Sequence, residues 1–190
     1  VVACNTATTN AISFLREKYN VPFIGIEPAI KPAAFNTKTN CIGILATQGT
    51  LSSALFHETS QLYTKDLNVI EQVGNGIVEL IEAGALFSIE MEQLLKSYLS
   101  PMLDANMDCL VLGCTHYHFL KPILEKILPK NIKIIDSGLA VAKQTKAVLQ
   151  KHNLIVESTQ QGEHAFYTNG SKEVISSLMN WDKAMIHKLD

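Results

Sequence analysis

The chain has 190 residues, of which 47% are hydrophobic and 18% charged, a composition that supports a packed core and excludes a disordered chain. The formal net charge of −2, with no basic cluster, argues against a nucleic-acid-binding protein or a membrane-surface protein. Four cysteines are too few for a disulfide scaffold, and neither a signal peptide nor a bilayer-spanning stretch is present, so we expect a cytoplasmic protein with reduced thiols.

Apolar runs and helical stripes alternate along the chain, which predicts an α/β fold with a mainly parallel sheet. The predicted strands are residues 1–3, 23–26, 41–46, 68–73, 109–112, 133–135 and 163–168. The predicted helices are residues 6–19, a short turn between Pro28 and Pro32, 51–65, a helix through Glu82 that ends at Gly84, 88–107, 119–128, 138–152 and 172–180. Pro101 should kink or divide the helix over 88–107, because proline cannot donate a helix hydrogen bond. The polar loop 36–40 is a candidate crossing between two lobes.

Two cysteines occupy matching positions, each where a strand gives way to a helix. Cys114-Thr115-His116 follows the buried run 109–112, and Cys4-Asn5-Thr6 follows the strand at residues 1–3. Ligands of open α/β sheets bind at this carboxyl end of the strands, and the positive end of a helix dipole favours a thiolate. Taken singly, Cys4 also fits an inert core cysteine, and residues 114–116 fit a polar turn with one exposed histidine. The pairing of the two corners is the strongest functional signal in the chain.

Other groups of residues give weaker signals of function. Cys109, Cys114, His116 and His118 lack a second cluster that would complete a zinc site, so we expect no metal. A cysteine–histidine nucleophile at the second corner would leave Cys4 unexplained. The stretch 74–76 lacks the third glycine and the lysine of a phosphate-binding loop. Alone, Glu82 fits a solvated charge and residues 136–138 fit a helix cap.

Residues 2–8 (Val-Ala-Cys-Asn-Thr-Ala-Thr) and 112–117 (Leu-Gly-Cys-Thr-His-Tyr) resemble the two signature corners of the bacterial glutamate racemases, within the Asp/Glu racemase superfamily. The two cysteines are 110 positions apart (114 − 4), close to the interval in that family. Residues 25–29 and 135–138 also look like stretches of the family at the expected places. The resemblance extends over essentially the whole chain.

This resemblance implies two similar α/β lobes, each with a mainly parallel sheet flanked by helices, and an active site in the cleft between them. The first lobe would comprise residues 1–27 and 136–190, and the second lobe residues 28–135. The family begins with a strand that ends in Asp-Ser-Gly, followed later by a Tyr-Gly pair that contacts the substrate. Since the sequence opens at Val1 without these stretches, we expect the first lobe to lack its N-terminal part.

The resemblance further implies cofactor-independent racemisation of L-glutamate to D-glutamate, which would supply D-glutamate for peptidoglycan synthesis. Cys4 and Cys114 would be the two acid/base residues, one for each face of the substrate Cα. The remaining site residues would be Asn5, Thr6, Thr115 and His116, which hold the substrate, and Glu82, which lies near the second cysteine. The only expected partner is the small-molecule substrate, and a homodimer stays open. The alternatives are a racemase for aspartate or another amino acid, and a non-catalytic ligand-binding protein left by the incomplete lobe.

Overall fold

The computed structural model describes residues 1–156, 162–180, 182 and 185–189. The strands are β1 (Cys41–Ala46), β2 (Asn68–Val73), β3 (Cys109–Gly113), β4 (Lys133–Ile135), β5 (Phe166–Thr168) and β6 (Ile186–Lys188). The helices are α1 (Asn5–Lys18), α2 (Ile30–Asn36), α3 (Gln48–Leu51), α4 (Ala54–Tyr63), α5 (Ile77–Glu82), α6 (Ile89–Asp104), α7 (Lys121–Ile127), α8 (Gly138–Lys151) and α9 (Lys172–Met179). A 3₁₀ helix spans Thr115–Leu120 and leads directly into α7.

The main sheet has four parallel strands in the order β2-β1-β3-β4. Every residue of β1 and β3 is buried, as the continuous apolar runs predict for strands covered on both faces. The strand order reverses between β1 and β3, and in open α/β sheets such a switch point marks the ligand-binding edge. The predicted α/β fold with a parallel sheet is therefore confirmed.

Helices cover both faces of this sheet. On one face α5, α6, α7 and the 3₁₀ helix form a core around Leu95, Leu110 and Tyr117, all fully buried. On the other face α2 and α4 pack against the strands through Phe56 and its neighbours. This sheet lies within residues 41–135, inside the predicted second lobe, and the lobe boundaries themselves stay a prediction.

The predicted strand at 23–26 is reduced to a single parallel bridge between Val2 and Gly25. The Val2 N–H donates to the Ile24 carbonyl over 2.8 Å, and the Ile26 N–H donates to the Val2 carbonyl over 3.2 Å. The Thr8 hydroxyl of α1 donates to the same Val2 carbonyl and accepts from the Ile26 N–H. A helix side chain therefore takes over bonds that a longer strand ladder would make.

Several element bounds differ from the sequence prediction. The predicted helix 51–65 is shorter in the structure, where α4 begins at Ala54 because Ser53 caps it by accepting from the Phe56 N–H, and the short helix α3 precedes it. Pro101 does not divide α6, which continues to Asp104, since one proline removes only one helix hydrogen bond. Gly84 follows α5 with φ 74°, the left-handed conformation that ends helices. The predicted strand 163–168 is shorter, and its parallel partner β6 was not predicted. None of the helices in the described residues is long and apolar enough to cross a membrane.

Candidate active site

The first corner is built by the start of α1. Cys4 is the N-cap residue of this helix, its thiol is exposed, and its Sγ accepts the Ala7 N–H at 3.5 Å. The next residue, Asn5, is buried, and its Nδ2 is the only buried side-chain nitrogen or oxygen without a hydrogen-bond partner within the described part of the chain. Buried donors are nearly always paired, so this amide is a donor available to a ligand.

Three threonine hydroxyls meet beside the first corner. The Oγ1 of Thr6 lies 2.8 Å from the Oγ1 of Thr47 and 3.2 Å from that of Thr50, and the latter two are 3.1 Å apart. Thr47 follows the carboxyl end of β1, so this threonine cluster joins α1 to the switch-point edge of the sheet. A Cβ at Gly49 would lie 2.7 Å from the Thr6 methyl, so the close approach requires glycine there.

The second corner follows β3. Cys114 is half-buried and its Sγ lies 4.0 Å from Nδ1 of His116. The other ring nitrogen of His116, Nε2, is 2.6 Å from Oε1 of Glu82. A carboxylate only accepts hydrogen bonds, so this contact places a proton on Nε2. In the neutral ring Nδ1 is then an acceptor, and it faces the thiol.

Burial is the main influence on the Cys114 thiol, and it raises the pKa. Backbone N–H groups of His116 and Tyr117 oppose this shift, while negative charge on Cys4 adds to it. The pKa of Cys114 is therefore raised overall.

A hydrogen bond ties the two corners together. Thr115 Oγ1 donates to the carbonyl of Ala3 over 2.6 Å, directly linking the residue after Cys114 to the residue before Cys4. A cavity of about 380 Å³ opens at this junction. Its lining includes Asn5, Cys114 and Thr115 from the corners, together with Asp136, Ser137 and Gly138. A small amino acid can enter a space of this size.

Residues 136–138 form one wall of the cavity. Oδ1 of Asp136 accepts the Gly138 N–H at 2.7 Å at the start of α8, as a helix cap would. Its Oδ2 contacts the Lys121 ammonium and lies 3.5 Å from Nδ1 of His118. Ser137 donates to the Glu27 carbonyl, which joins this segment to the stretch that follows the first corner.

Of the seven residues named from the sequence, Asn5, Cys114 and Thr115 line the cavity, whereas Cys4, Thr6, His116 and Glu82 lie at the corners outside its lining. Cys4, Asn5 and Thr6 lie at one corner, Cys114, Thr115 and His116 at the other, and Glu82 contacts His116. The loose group of metal-ligating residues is divided, because Cys109 is buried in the core on the α2/α4 face. Within the described residues, no three histidine, cysteine or acidic side chains are arranged to hold a metal ion.

Thr47 and Thr50 were not predicted from the sequence, and Asp136 and Lys121 were not assigned to the site. Thr47 follows β1 just as Cys114 follows β3. Because ligands of open α/β sheets bind at the carboxyl ends of the strands, a search after every buried strand would have found it. Lys121 had no such signal, since its pairing with Asp136 depends on how the 3₁₀ helix meets β4.

Comparison with known proteins assigns the chain to an enzyme family. The family described as Asp/Glu/Hydantoin racemase matches residues 1–145. The chain therefore belongs to the Asp/Glu/hydantoin racemase family. Within that family its relatives are glutamate racemases. The Pseudomonas putida glutamate racemase is 44% identical over 97% of this chain and 70% of the relative's length.

Solved structures agree with this assignment. The crystal structure of Escherichia coli glutamate racemase in complex with L-glutamate and the activator UDP-MurNAc-Ala matches with a TM-score of 0.82 and 32% identity, over 99% of this chain and 72% of that one. The Francisella tularensis glutamate racemase in complex with D-glutamate matches with a TM-score of 0.77 and 25% identity, over 98% and 71%. The expected two-lobe fold is that of these racemases.

Proposed function

We propose that the chain carries the active site of a glutamate racemase, which interconverts L- and D-glutamate by proton transfers between the substrate Cα and two cysteines, Cys4 and Cys114. The observation that carries this proposal is the Thr115–Ala3 hydrogen bond, which holds the two cysteine corners at one cavity. The similarity to glutamate racemases over nearly the whole chain supports glutamate as the substrate. Its D-glutamate product would serve peptidoglycan synthesis, as the family implies.

Racemisation requires removal of the α-proton on one face of Cα and delivery of a proton on the other. One thiolate acts as the base and the opposite thiol as the acid, so the pair must hold one proton between them. Negative charge on Cys4 raises the pKa of Cys114, which supports such sharing, because two adjacent thiolates disfavour each other. After one thiolate has taken the α-proton and the opposite thiol has donated its own proton to Cα, the pair is left in the opposite state, ready for the reverse direction.

The second corner also has a means of activating its thiol. Glu82 holds the Nε2 proton of His116 and leaves Nδ1 as an acceptor towards Cys114. If His116 Nδ1 moved closer to the Cys114 Sγ than 4.0 Å, it could accept the thiol proton. Burial otherwise favours the protonated thiol, because it raises the pKa of Cys114. We infer that Glu82 and His116 lower the cost of forming the Cys114 thiolate when Cys114 is the base.

Substrate binding would use the polar groups around the corners. The unpaired Asn5 amide can donate to a substrate carboxylate, and the threonine cluster supplies hydroxyls that accept or donate. The positive ends of the dipoles of α1 and of the 3₁₀ helix, which begin directly after the two cysteines, would favour an anion there. These donors would also stabilise the charge that develops on the carboxylate when the α-proton leaves.

The test is exchange of the Cα hydrogen of glutamate in D₂O. Each enantiomer of glutamate should acquire deuterium at Cα as its optical rotation is lost, and aspartate should react far more slowly. Binding of glutamate without exchange would indicate the non-catalytic alternative, and faster exchange of aspartate would indicate an aspartate racemase. Because the thiols supply the acid/base groups, dialysis against a chelator should leave the rate unchanged.

A further inference from the structure

Asp136 places a carboxylate in the wall of the candidate cavity, which is an unfavourable neighbour for an anionic substrate. Its side chain is only 16% exposed, and the cavity that it lines also contains Cys114 and Asn5. Glutamate carries two carboxylates and one ammonium near neutral pH, so its net charge is negative. An unpaired anion in a partly buried wall would repel it, because charges interact more strongly away from bulk water.

The charge of Asp136 is matched by a neighbouring lysine. Lys121, at the start of α7, contacts Oδ2 with its ammonium, and His118 faces the same oxygen. Burial pushes the pKa of Asp136 upward, but the bonds from Lys121 and the Gly138 N–H outweigh it and hold the pKa below its usual range. The carboxylate is therefore ionised at neutral pH and needs a counter-charge.

We propose that Lys121 is a positioning residue for the substrate: it neutralises Asp136, so that the wall formed by residues 136–138 accepts an anionic amino acid. This inference rests on the proposed function, because it concerns how the same cavity tolerates glutamate. Lys121 acts through Asp136 and is not a member of the acid/base pair.

Asp136 itself has a separate structural role, because it fixes the path of the backbone after β4. Its Oδ1 holds the Gly138 N–H and so shapes the turn from β4 into α8. The adjacent Ser137 donates to the Glu27 carbonyl and joins the two segments that pass beside the cavity. An asparagine could accept from Gly138 without carrying a charge, so the two roles of residue 136 can be separated experimentally.

A double-mutant cycle with Lys121→Gln and Asp136→Asn tests the proposal. Lys121→Gln leaves the Asp136 carboxylate without its lysine counter-charge, and we expect the KM for glutamate to rise about tenfold with kcat changed by less than about threefold. Adding Asp136→Asn should return KM to within about threefold of the parent value, because the wall is then neutral. Equilibrium dissociation constants for glutamate should follow the same pattern.

Salt and matched lysine variants separate charge from packing. The rise in KM for Lys121→Gln should shrink between low and high ionic strength, because salt screens charge repulsion but does not restore lost packing. Lys121→Arg keeps the charge and should keep KM near the parent value. Lys126→Gln removes the same charge from an exposed position on α7 and should change nothing.

Several outcomes would overturn the proposal. One is a KM for Lys121→Gln equal to that of the parent, and another is a double variant no better than the single one. A lower KM in Lys121→Gln together with a higher KM in Asp136→Asn would show instead that Asp136 binds the substrate ammonium. If Lys121→Gln does not fold, the comparison of Asp136→Asn with the double variant decides, since KM should differ by less than about threefold. Absence of Cα exchange in the parent would overturn the proposed function, while the dissociation constants would still decide the role of Lys121.

Discussion

The two cysteine corners share a sequence pattern but differ in what surrounds them. Cys4 is exposed, caps a regular α-helix and stands beside a cluster of threonine hydroxyls. Cys114 is half-buried, starts a 3₁₀ helix and faces a histidine that a carboxylate holds. The strand before Cys4 makes one bridge, whereas the strand before Cys114 pairs with neighbours on both sides.

Under the proposed two-cysteine mechanism, this difference means that a symmetric reaction does not need symmetric surroundings. The first thiol is accessible and next to donors suited to a substrate carboxylate. The second is desolvated, which raises its pKa, and has a base within reach. If both act on one Cα, the local supports must compensate for these unequal environments.

The largest expected effect comes from removing either thiol. Cys4→Ser and Cys114→Ser should each lower the racemisation rate by about 10²–10⁴-fold, because a hydroxyl is a far poorer base than a thiolate and racemisation needs both residues. N-hydroxyglutamate eliminates water after a single deprotonation, so each variant should still process one enantiomer. By analogy with the family, Cys4→Ser should keep the L-enantiomer and Cys114→Ser the D-enantiomer.

Circular dichroism of glutamate and elimination assays with both enantiomers measure these effects. Cys41→Ala, which changes a buried cysteine of β1 outside the site, is the matched control and should keep most activity. An identical enantiomer preference in both serine variants would remove the basis for assigning one face to each corner.

The next effect concerns the strand that carries the second corner. Asp108 immediately precedes β3 and accepts from the Thr37 hydroxyl at 2.6 Å and the Lys38 N–H at 2.5 Å. Burial opposes its ionisation, but these bonds prevail and lower its pKa. Asp108→Asn should therefore reduce the free energy of unfolding by about 2 kcal/mol at pH 7, since hydrogen bonds to charged groups contribute about 1.5–3 kcal/mol.

The pH dependence follows from the lowered pKa of Asp108. Its stabilising contribution is complete above the unfolded-state pKa, about 3.9, and is lost as the pH falls through the lower folded-state pKa. Denaturant unfolding of the parent and of Asp108→Asn should differ at pH 7 and converge towards acid pH. A constant difference across this range would mean that the carboxylate charge is irrelevant to the second corner.

A smaller effect should come from the threonine cluster at the first corner. Thr6→Val keeps the shape of the side chain but removes the hydroxyl that contacts Thr47 and Thr50. We expect kcat/KM to fall about tenfold, the typical effect of one lost polar contact. Thr9→Val, on the same helix but bonded only within it, to two helix carbonyls and the Asn10 amide, is the control. Equal losses in both would show that the cluster supports the helix and not the substrate.

The smallest effect should come from Glu82, because this side chain is half exposed. Glu82→Gln keeps an oxygen acceptor but removes the charge behind His116, and kcat should fall about three- to fivefold. The loss should be greater in the direction that uses Cys114 as the base. Glu79→Gln, three residues earlier on α5 and exposed, should have no effect. Equal loss in both directions would contradict a specific link between Glu82 and the second corner.

The residues of the candidate site were easier to predict from the sequence than some of the contacts that hold them in place. The buried strands β1 and β3 are continuous apolar runs, and the binding of ligands at the carboxyl ends of such strands then locates Cys114 correctly. The Thr8 hydroxyl takes the place of part of a strand ladder, and the Ser53 hydroxyl caps the start of α4. Both features depend on single side-chain hydrogen bonds that hydrophobic periodicity does not reveal. The Lys121–Asp136 contact depends on tertiary structure, since fifteen positions (136 − 121) separate the two residues along the chain.

The exposure of helix α8 predicts how fast its backbone amides exchange with solvent. None of its fourteen residues is buried, although the Asp136 carboxylate fixes the first N–H at its start. Protection of backbone amides against solvent deuterium tracks the free energy of local opening, which is small where few apolar contacts must break. The amides of α8 should therefore exchange long before those of β1, while the start of the helix, beside the cavity, exchanges more slowly than its end.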